Sequence, residues 1–591
     1  MKRRRTIGLA AALGALAALV LAACGGSSGS GGSSSSSGST SATYNAGITG
    51  AVNPSTHKGG TLTFGDSSTP DSTDPGNTYY AFMWNFTRLY TMPLMTYKSC
   101  TGSCGLQVVP DLATGPGVVS DNGLTWTYHL QPDVKFEDGT TVTSTDVKYA
   151  VERTFDRSKL PLGPNYFTLL LAPQKPAYPG PYVDPAKNQM GLNAVQTPNP
   201  TTIVFHLAQP FADFNYVVAI PQTAPVPPSK DTGTNYQLHP ISTGPYEFQS
   251  YQLNKQLTLV PNTNWNPATD PVAKQLPSKI TVSMNVNAND IDNRQLAGDL
   301  DLDIAGTGVQ AAARARILST PSLKASSDDP LAGFNWFVYI DTKVPPFNNL
   351  ACRQAVEYAA NKTNLQTAYG GPYAGNIAST VLVPSVVGYK SFDLYGALSK
   401  PGGDVAMAQQ ALKACGHPSG FTTGVAYRSD RPKDTAAATA LQASLAQVGI
   451  KATLHGYPSG TYYSDFAGVP RYVHQHDLGL DIGGWEADFP DGWGFMDEIS
   501  NGNAISQTGG NTNISELNDP KVNGLLTKFQ NTLNPTARNA IASQIDMQAM
   551  KDAAFLPEVY AKSLLYRNPS LTNVYVQQSY GMYNYAVLGV K

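Results

Sequence analysis

The pattern of hydrophobic positions separates one long apolar run near the start of the chain from a body of mixed strand and helix patterns. Residues 7–22 form the apolar run. In the first half of the body, strand patterns occupy residues 60–65, 126–130, 134–136, 201–207 and 257–260,. Residues 144–155 have a helix pattern that Thr143 can cap,. Residues 171–200 are rich in Pro, Gly and Asn, so we predict a long surface loop there,.

The second half of the body is more regular. A strand is predicted over residues 334–340, and helices over 351–369, 405–415 and 535–553, the last capped by Asn534,. A strand, a helix and a second strand are predicted over residues 421–427, 433–448 and 450–455. A unit of this length predicts two parallel strands with a right-handed crossover. The body is therefore predicted to be an α/β protein.

The first 57 residues are predicted to be an export signal followed by a flexible tether. The apolar run is short for a membrane span, which needs about 20 residues, and it follows a positive segment at residues 2–5. Small residues precede Cys24 and resemble a bacterial lipobox, in which the cysteine is lipidated and becomes the new N-terminus. We predict a signal peptide at 1–23 and a Gly/Ser-rich tether at 24–57,. The alternative is an uncleaved signal anchor.

Export would place the body in an oxidising compartment, where its four remaining cysteines can form two disulfides. The short Thr-Gly-Ser spacer favours a local Cys100–Cys104 bridge, which leaves Cys352 and Cys415 to pair. The alternative is a metal site, but no second Cys or His stands at zinc spacing near either pair,.

Net charge and motif content argue against a nucleic-acid binder and against several classes of enzyme. Lys and Arg number 40 against 42 Asp and Glu, for a net charge of -2. A nucleic-acid binder would normally carry a basic excess, so we expect no nucleic-acid partner. The chain has no phosphate-binding Gly-Lys loop, no His-Glu-x-x-His motif, and no Gly-x-Ser-x-Gly motif outside the tether,. We therefore predict a protein that is not an enzyme.

Two weaker motifs indicate a cofactor or a metal, but each has a simpler interpretation. Gly306, Gly308 and Ala311 outline a dinucleotide-binding fingerprint after a short apolar strand,, but a tight strand-to-helix turn explains them better in an exported protein. His474 and His476 could share one face of a strand and bind a metal,, although the polar surroundings favour a solvated loop. We predict no cofactor and no metal.

Residues 483–495 carry the pattern most typical of a binding site. Trp485, Phe489, Trp493 and Phe495 alternate there with Glu486, Asp488 and Asp491 among glycines and a proline. Aromatic rings exclude water and a carboxylate supplies charge, so the pattern suits a cationic ligand. The alternative is a packed loop whose acids cap helices. A second aromatic group, at residues 79–90, is predicted to be mostly core, with one or two rings facing a cleft.

Several sequence blocks together resemble the extracytoplasmic solute-binding proteins of ABC importers, family 5, the oligopeptide and dipeptide type. The blocks are VPDLA (109–113), SDNGLTWTYHL (120–130), VKFEDGT (134–140), STGPYEF (242–248), GDLDLD (298–303), PPFN (345–348) and WEADFPD (485–491). They occur in order along residues 59–590.

The resemblance implies an α/β, two-lobed periplasmic-binding-protein-like fold of type II with an extra subdomain. Its mixed sheets are flanked by helices, and the ligand lies in an interlobe cleft. Lobe I would comprise 58–90, 191–305 and 562–591, the extra subdomain 91–190, and lobe II 306–561. The lobes would close on the ligand by a hinge.

The resemblance also implies a function and a set of ligand contacts. Asp488 matches the aspartate that pairs with a peptide's α-ammonium group, and the other matching positions are Trp485, Glu486, Tyr79, Thr243 and Tyr560. The second acid, Glu486, could favour a more basic ligand. We expect a monomeric receptor, lipid-anchored to the outer face of the cell membrane, that delivers short peptides to an ABC permease and ATPase complex. The alternatives are a family-5 receptor for an oligosaccharide, metal chelate or opine, and, with less support, an exported hydrolase.

Overall fold

The computed structural model describes residues 43–67, 69–184, 191–459, 461–507 and 511–591. The predicted signal peptide and Cys24 lie outside these residues. Within them, no helix is long and apolar enough to cross a membrane.

The first large sheet has five strands built from separate parts of the chain. Its strand order is Leu302–Asp303, Thr61–Gly65, Lys279–Ser283, Gln256–Pro261 and Tyr246–Gln252. The first three strands are mutually parallel and the rest antiparallel. Leu62 and Phe64 pair with Ile280 and Val282, and all four side chains are buried. The pairing places the start of the body beside segments more than 200 residues further along the chain.

The second large sheet has six strands and forms the other half of the fold. Its strand order is Gly375–Ile377, Phe555–Lys562, Leu331–Ile340, Leu480–Trp485, Thr422–Arg428 and Lys451–Tyr457. Thr422–Arg428 and Lys451–Tyr457 run parallel, with helix Pro432–Ala446 between them in sequence. The predicted strand, helix and strand unit is therefore confirmed.

Helices cover both faces of the second sheet. Side chains alternate along a strand, so Val338 and Ile340 pack on one face and Phe337 and Tyr339 on the other. The first face is covered by helices Leu350–Ala359, Lys362–Tyr369, Val405–Ala414 and Pro432–Ala446. The second is covered by helices Gly492–Ser500, Pro520–Gln530 and Pro535–Lys551. Helices on both sides bury both rows of side chains at the end of this strand, which agrees with the unbroken apolar run at residues 336–340.

A smaller sheet of four antiparallel strands forms a third region. Its order is Val118–Ser120, Thr125–His129, Thr202–His206 and Val195–Asn199. Helix Ser144–Arg153 packs beside it and begins with a capping box, in which the Asp146 carboxylate accepts hydrogen bonds from the Thr143 backbone and hydroxyl,.

The remaining elements are short. The other helices are Ala46–Thr49, Ala81–Thr87, Tyr166–Leu170, Phe214–Val217, Ala288–Ala297, Ala311–Ser319, Pro321–Ala325 and Pro470–Gln475. Two-strand pairs join Met95–Tyr97 with Val108–Pro110, Ser327–Asp328 with Leu565–Tyr566, Leu571–Thr572 with Gly589–Val590, and Val576–Gln577 with Met582–Tyr583.

Three predicted elements were wrong. The helix predicted over 351–369 is two helices, because the Asn361 side chain accepts a hydrogen bond from the Asn364 N–H and starts a new helix. Residues 134–136 form no strand and contribute only a single bridge between Lys135 and Thr141. The predicted loop at 171–200 contains strand Val195–Asn199. That strand tolerates Pro198 because it lies at the sheet edge, where a missing N–H costs little,.

Both predicted disulfides are present. Cys100 pairs with Cys104, and Cys352 pairs with Cys415 across 63 residues. The second bond joins helix Leu350–Ala359 to the end of helix Val405–Ala414.

The glycine motif at residues 306–311 is a tight turn between strand Leu302–Asp303 and helix Ala311–Ser319. Gly306 and Gly308 have φ of +62° and +80°, a conformation that favours glycine. A Cβ at Gly308 would lie 2.9 Å from the Leu564 backbone, so close packing accounts for this glycine.

Candidate ligand-binding site

A cavity of about 830 Å³ lies between the two halves of the fold. Ligand pockets in proteins span about 300–1,000 Å³, so the cavity can take a small-molecule or short-peptide ligand. Its lining comes from both halves: Tyr79, Tyr80, Ala81, Trp84, Tyr97, Ser579 and Tyr580 on one side, and Phe334, Trp336, Tyr339, Arg428, Arg431, Tyr463, Ser464, Gly484, Trp485, Glu486, Ala487, Asp488, Asn511, Thr512 and Ile514 on the other.

The cavity walls are mostly aromatic. Ten of the 22 lining residues are Tyr, Trp or Phe. Their rings support one another, with Tyr79 and Trp84 centroids 5.9 Å apart and Phe334 and Trp336 centroids 4.6 Å apart. Rings held in this way present flat apolar faces without losing much side-chain freedom on binding.

The segment predicted from its aromatic and acidic residues divides into two parts. Strand Leu480–Trp485 ends at the cavity, and Trp485, Glu486 and Asp488 line it. Beyond Asp488 the chain turns inward. Phe489 is buried, and Asp491 caps helix Gly492–Ser500 by accepting a hydrogen bond from the Trp493 N–H at 2.9 Å. The first half of the segment therefore lines the cavity, as a binding loop would, and the second half packs and caps a helix.

Asp488 is held by two tyrosines from the opposite side of the cleft. The Tyr79 and Tyr166 hydroxyls each donate to Asp488 Oδ2 at 2.6 Å. Burial raises the pKa of Asp488, and the two hydroxyl bonds act in the opposite direction. Among the described residues, no Lys, Arg or His forms an ion pair with this carboxylate. A carboxylate in this setting can accept a cation from a ligand.

Glu486 adds a second carboxyl group to the same wall. Its side chain is exposed and lines the cavity beside Gly333. Desolvation by the surrounding cleft, with the nearby Asp488 charge, raises the pKa of Glu486 to about 7. The carboxyl therefore changes charge near neutral pH.

Two arginines supply positive charge elsewhere in the lining. The Arg428 guanidinium is buried, donates to Asp434 Oδ2 at 2.6 Å, and lies 5.5 Å from the Trp336 ring centroid. Arg431 is exposed and donates to the Ser459 hydroxyl at 3.1 Å. The cavity thus carries groups of both signs, with Arg428 already paired and Arg431 more available.

The structure brings four of the six predicted ligand residues to the cavity: Tyr79, Trp485, Glu486 and Asp488. It does not bring Thr243 or Tyr560 there. Thr243 is buried, and its hydroxyl accepts a hydrogen bond from the Met92 N–H. The Tyr560 hydroxyl is buried among Ser379 and Thr380, whose N–H groups donate to it.

Sequence reasoning missed much of the lining. Trp336, Tyr339, Tyr463 and Tyr580 line the cavity, and Tyr166 reaches Asp488 from its own short helix. These residues lie on separate elements without a shared motif, so only the tertiary fold identifies them. Of the second aromatic group, Tyr79, Tyr80 and Trp84 line the cavity, whereas Phe86 and Tyr90 are core.

The histidine motif does not have the predicted geometry. His474 lies on helix Pro470–Gln475 and not on a strand, and His476 just after it stacks on Tyr472. The two rings therefore do not share a strand face.

Two large sheets with a ligand-sized cavity between them, the second covered by helices on both faces, define a two-lobed periplasmic-binding-protein fold. Residues 107–507 match bacterial extracellular solute-binding proteins, family 5 (middle region), and the chain belongs to that family. Its members are extracytoplasmic solute-binding proteins of ABC importers.

Individual relatives cover most of the chain. It is 25% identical over 507 residues to the probable D,D-dipeptide-binding periplasmic protein DdpA of Escherichia coli (strain K12), covering 84% of this chain and 87% of that protein. It is 23% identical over 470 residues to the glutathione-binding protein GsiB of Escherichia coli O1:K1 / APEC, covering 78% and 83%. The solved structure of clavulanic acid biosynthesis oligopeptide binding protein 2 superposes with a TM-score of 0.88 at 39% identity, covering 93% of this chain and 99% of that one. All three relatives are named as binding proteins.

Proposed function

We propose that this protein binds short peptides in the interlobe cavity and delivers them to an ABC permease and its ATPase. The observation that carries the proposal is Asp488, a carboxylate on the cavity wall whose partners are two tyrosine hydroxyls. In the part of the chain that the structure describes, no cation pairs with it. A peptide α-ammonium group would supply the missing charge. The names of the relatives, which include an oligopeptide-binding and a dipeptide-binding protein, support the same ligand class.

The charges of the lining suit a zwitterionic ligand. Asp488 would receive the α-ammonium group and the exposed Arg431 the carboxylate. Glu486 would receive a second cationic group, which favours peptides with a basic side chain near the N-terminus. The aromatic walls would contact the other side chains without selecting strongly among them.

The predicted division of the chain completes the proposal. Lobe I would contain the first sheet, lobe II the second, and the extra subdomain would contribute Tyr166 to the cleft. The monomeric receptor would be held at the outer face of the membrane by a lipid on Cys24. The tether would be shorter than the predicted 24–57, because Val52 is buried and bridges to Val574, and the Gly47 N–H donates to Asp328 Oδ1. Residues 46–53 are therefore part of the folded body.

An oligosaccharide receptor is the second candidate, because Trp336 and Trp485 line the cavity and tryptophan rings commonly stack on sugars. Calorimetric titration with a library of short peptides and with a panel of oligosaccharides separates the two. We expect micromolar or tighter binding of peptides with a free amino terminus and no heat with the sugars. Saturable sugar binding without peptide binding would refute the proposal, and sustained product release from peptide or glycoside substrates would favour the hydrolase alternative.

A further inference from the structure

A cluster of metal-ligating side chains lies apart from the cavity lining. Asp341 follows strand Leu331–Ile340, His474 lies on helix Pro470–Gln475, and Glu516 lies on the segment before helix Pro520–Gln530. One carboxylate oxygen or ring nitrogen from each of the three lies within 4.8 Å of the others. The fold thus brings three distant parts of the chain to one point.

The cluster holds more negative charge than its protein partners neutralise. Asp341 and Glu516 are 0% and 3% exposed, and Asp481, which interacts electrostatically with Asp341, is also 0% exposed. His474 Nε2 contacts Glu516 Oε2. Among the described residues, no Lys or Arg forms an ion pair with any of these three acids. Buried carboxylates without a counter-charge are costly, so one histidine is a poor match for three acids.

One oxygen of the cluster is buried and unpartnered. Asp341 Oδ1 accepts hydrogen bonds from the Lys343 and Val344 N–H groups at 2.7 and 3.2 Å. Within the described part of the chain, no hydrogen-bond donor reaches Asp341 Oδ2. A His474–Glu516 ion pair alone leaves this oxygen unsatisfied. A cation bound to all three side chains would satisfy it.

We propose that Asp341, His474 and Glu516 form a binding site for a divalent transition-metal ion, with Zn²⁺ the best match. Zinc sites that keep an open position commonly have three protein ligands drawn from imidazole and carboxylate groups, with water as the fourth. Calcium prefers six to eight oxygen ligands, which this set does not offer. Half-exposed His474 gives the ion a path from solvent.

Neighbouring groups already orient the ligands. Two backbone N–H groups hold Asp341 Oδ1 and leave Oδ2 for another partner. The Gln507 amide donates to Glu516 Oε1 at 3.2 Å, and Glu516 Oε2 contacts His474. Such outer contacts are typical of metal sites. The ion would tie the segment bearing Glu516 to the second sheet, and that segment also contributes Asn511, Thr512 and Ile514 to the cavity wall.

The test is zinc titration of the untagged full-length protein after treatment with a chelator. We expect one equivalent of Zn²⁺ to bind, and thermal stability to rise with zinc concentration as linkage requires. H474Q and D341N should each weaken zinc binding by at least about 100-fold, since loss even of an outer-shell partner costs about 10–100-fold. H476Q is the matched control, because His476 stacks on Tyr472 outside the cluster, and it should bind zinc as the wild type does.

Three results would overturn the site: no stoichiometric zinc binding by the wild type, equal losses in H474Q and H476Q, or tighter binding of Ca²⁺ than of Zn²⁺. Melting each variant in EDTA checks its folding. If D341N does not fold, H474Q decides, because the His474 side chain is 40% exposed and its replacement disturbs little packing.

Discussion

Replacing Asp488 with alanine tests the proposed ammonium contact. The carboxylate lies on the cavity wall with two tyrosine hydroxyls at 2.6 Å and with no cation paired to it among the residues described by the structure. Removing one member of a buried charge pair typically costs about 3–5 kcal/mol. At about 1.4 kcal/mol per decade, Asp488→Ala should weaken binding of the best short peptide by roughly two to three decades.

A double-mutant cycle distinguishes this contact from a general loss of structure. N-acetylation of the peptide should cost the wild type a similar amount, and it should cost Asp488→Ala far less, because both changes remove one interaction. Calorimetry of the two proteins with the two peptides gives the coupling energy. A coupling energy near zero would show that Asp488 does not meet the amino terminus.

Two control variants separate the loss of the Asp488 charge from other effects of substitution. Asp497→Asn replaces a carboxyl group that does not line the cavity, and it should leave peptide affinity unchanged. Tyr79→Phe removes one hydroxyl bond to Asp488 and keeps the charge, so it should weaken binding by about one decade or less, in line with about 0.5–1.5 kcal/mol for a net hydrogen bond.

Three other properties can be checked independently. Because desolvation in the cleft and the Asp488 charge raise the Glu486 pKa to about 7, a basic ligand should release a proton on binding and bind more weakly as pH falls below about 7. Calorimetry in buffers of different ionisation enthalpy measures the released proton, and Glu486→Gln should abolish the release. An affinity that does not change with pH would contradict the assignment. The same raised pKa means that the folded, unliganded protein holds this proton more tightly than the unfolded chain, so the contribution of Glu486 to stability is lost as pH rises from about 4.5 to about 7. Replacing both Cys352 and Cys415 with alanine should cost about 4 kcal/mol of unfolding free energy, because their bond closes a 63-residue span,. Removing the Cys100–Cys104 bond, which spans four residues, should cost only about 2 kcal/mol on the same scale,. Equal losses in urea denaturation would refute the argument from loop length. Cys24→Ser should release the protein from the membrane fraction with ligand affinity unchanged, and retention of the variant would identify the apolar run as the anchor.

The sequence predicted the elements whose signals are local. The parallel unit spanning 421–455 followed from period and length, and the capped helix at Thr143 from its first turn. The continuous helix at 351–369 was wrong because a side-chain cap at Asn361 competes with helix propagation, and a periodic apolar pattern does not register such a cap,. The edge strand at 195–199 was missed because its proline is acceptable only at an edge,.

The candidate site divides in the same way. Trp485, Glu486 and Asp488 share one segment and could be proposed from sequence. Tyr166 and Trp336 could not, since each comes from a different element and meets the cavity only through packing. Thr243 and Tyr560 were assigned by resemblance, but their hydroxyls form hydrogen bonds in the interior.

Mass spectrometry of small molecules released from the protein purified from its native host tests the peptide-receptor proposal most directly. We expect short peptides with free amino termini, enriched in basic residues near that end, and we expect their loss from Asp488→Ala purified in parallel. Release of oligosaccharides or metal chelates in place of peptides, or the same peptides from Asp488→Ala in equal yield, would contradict it.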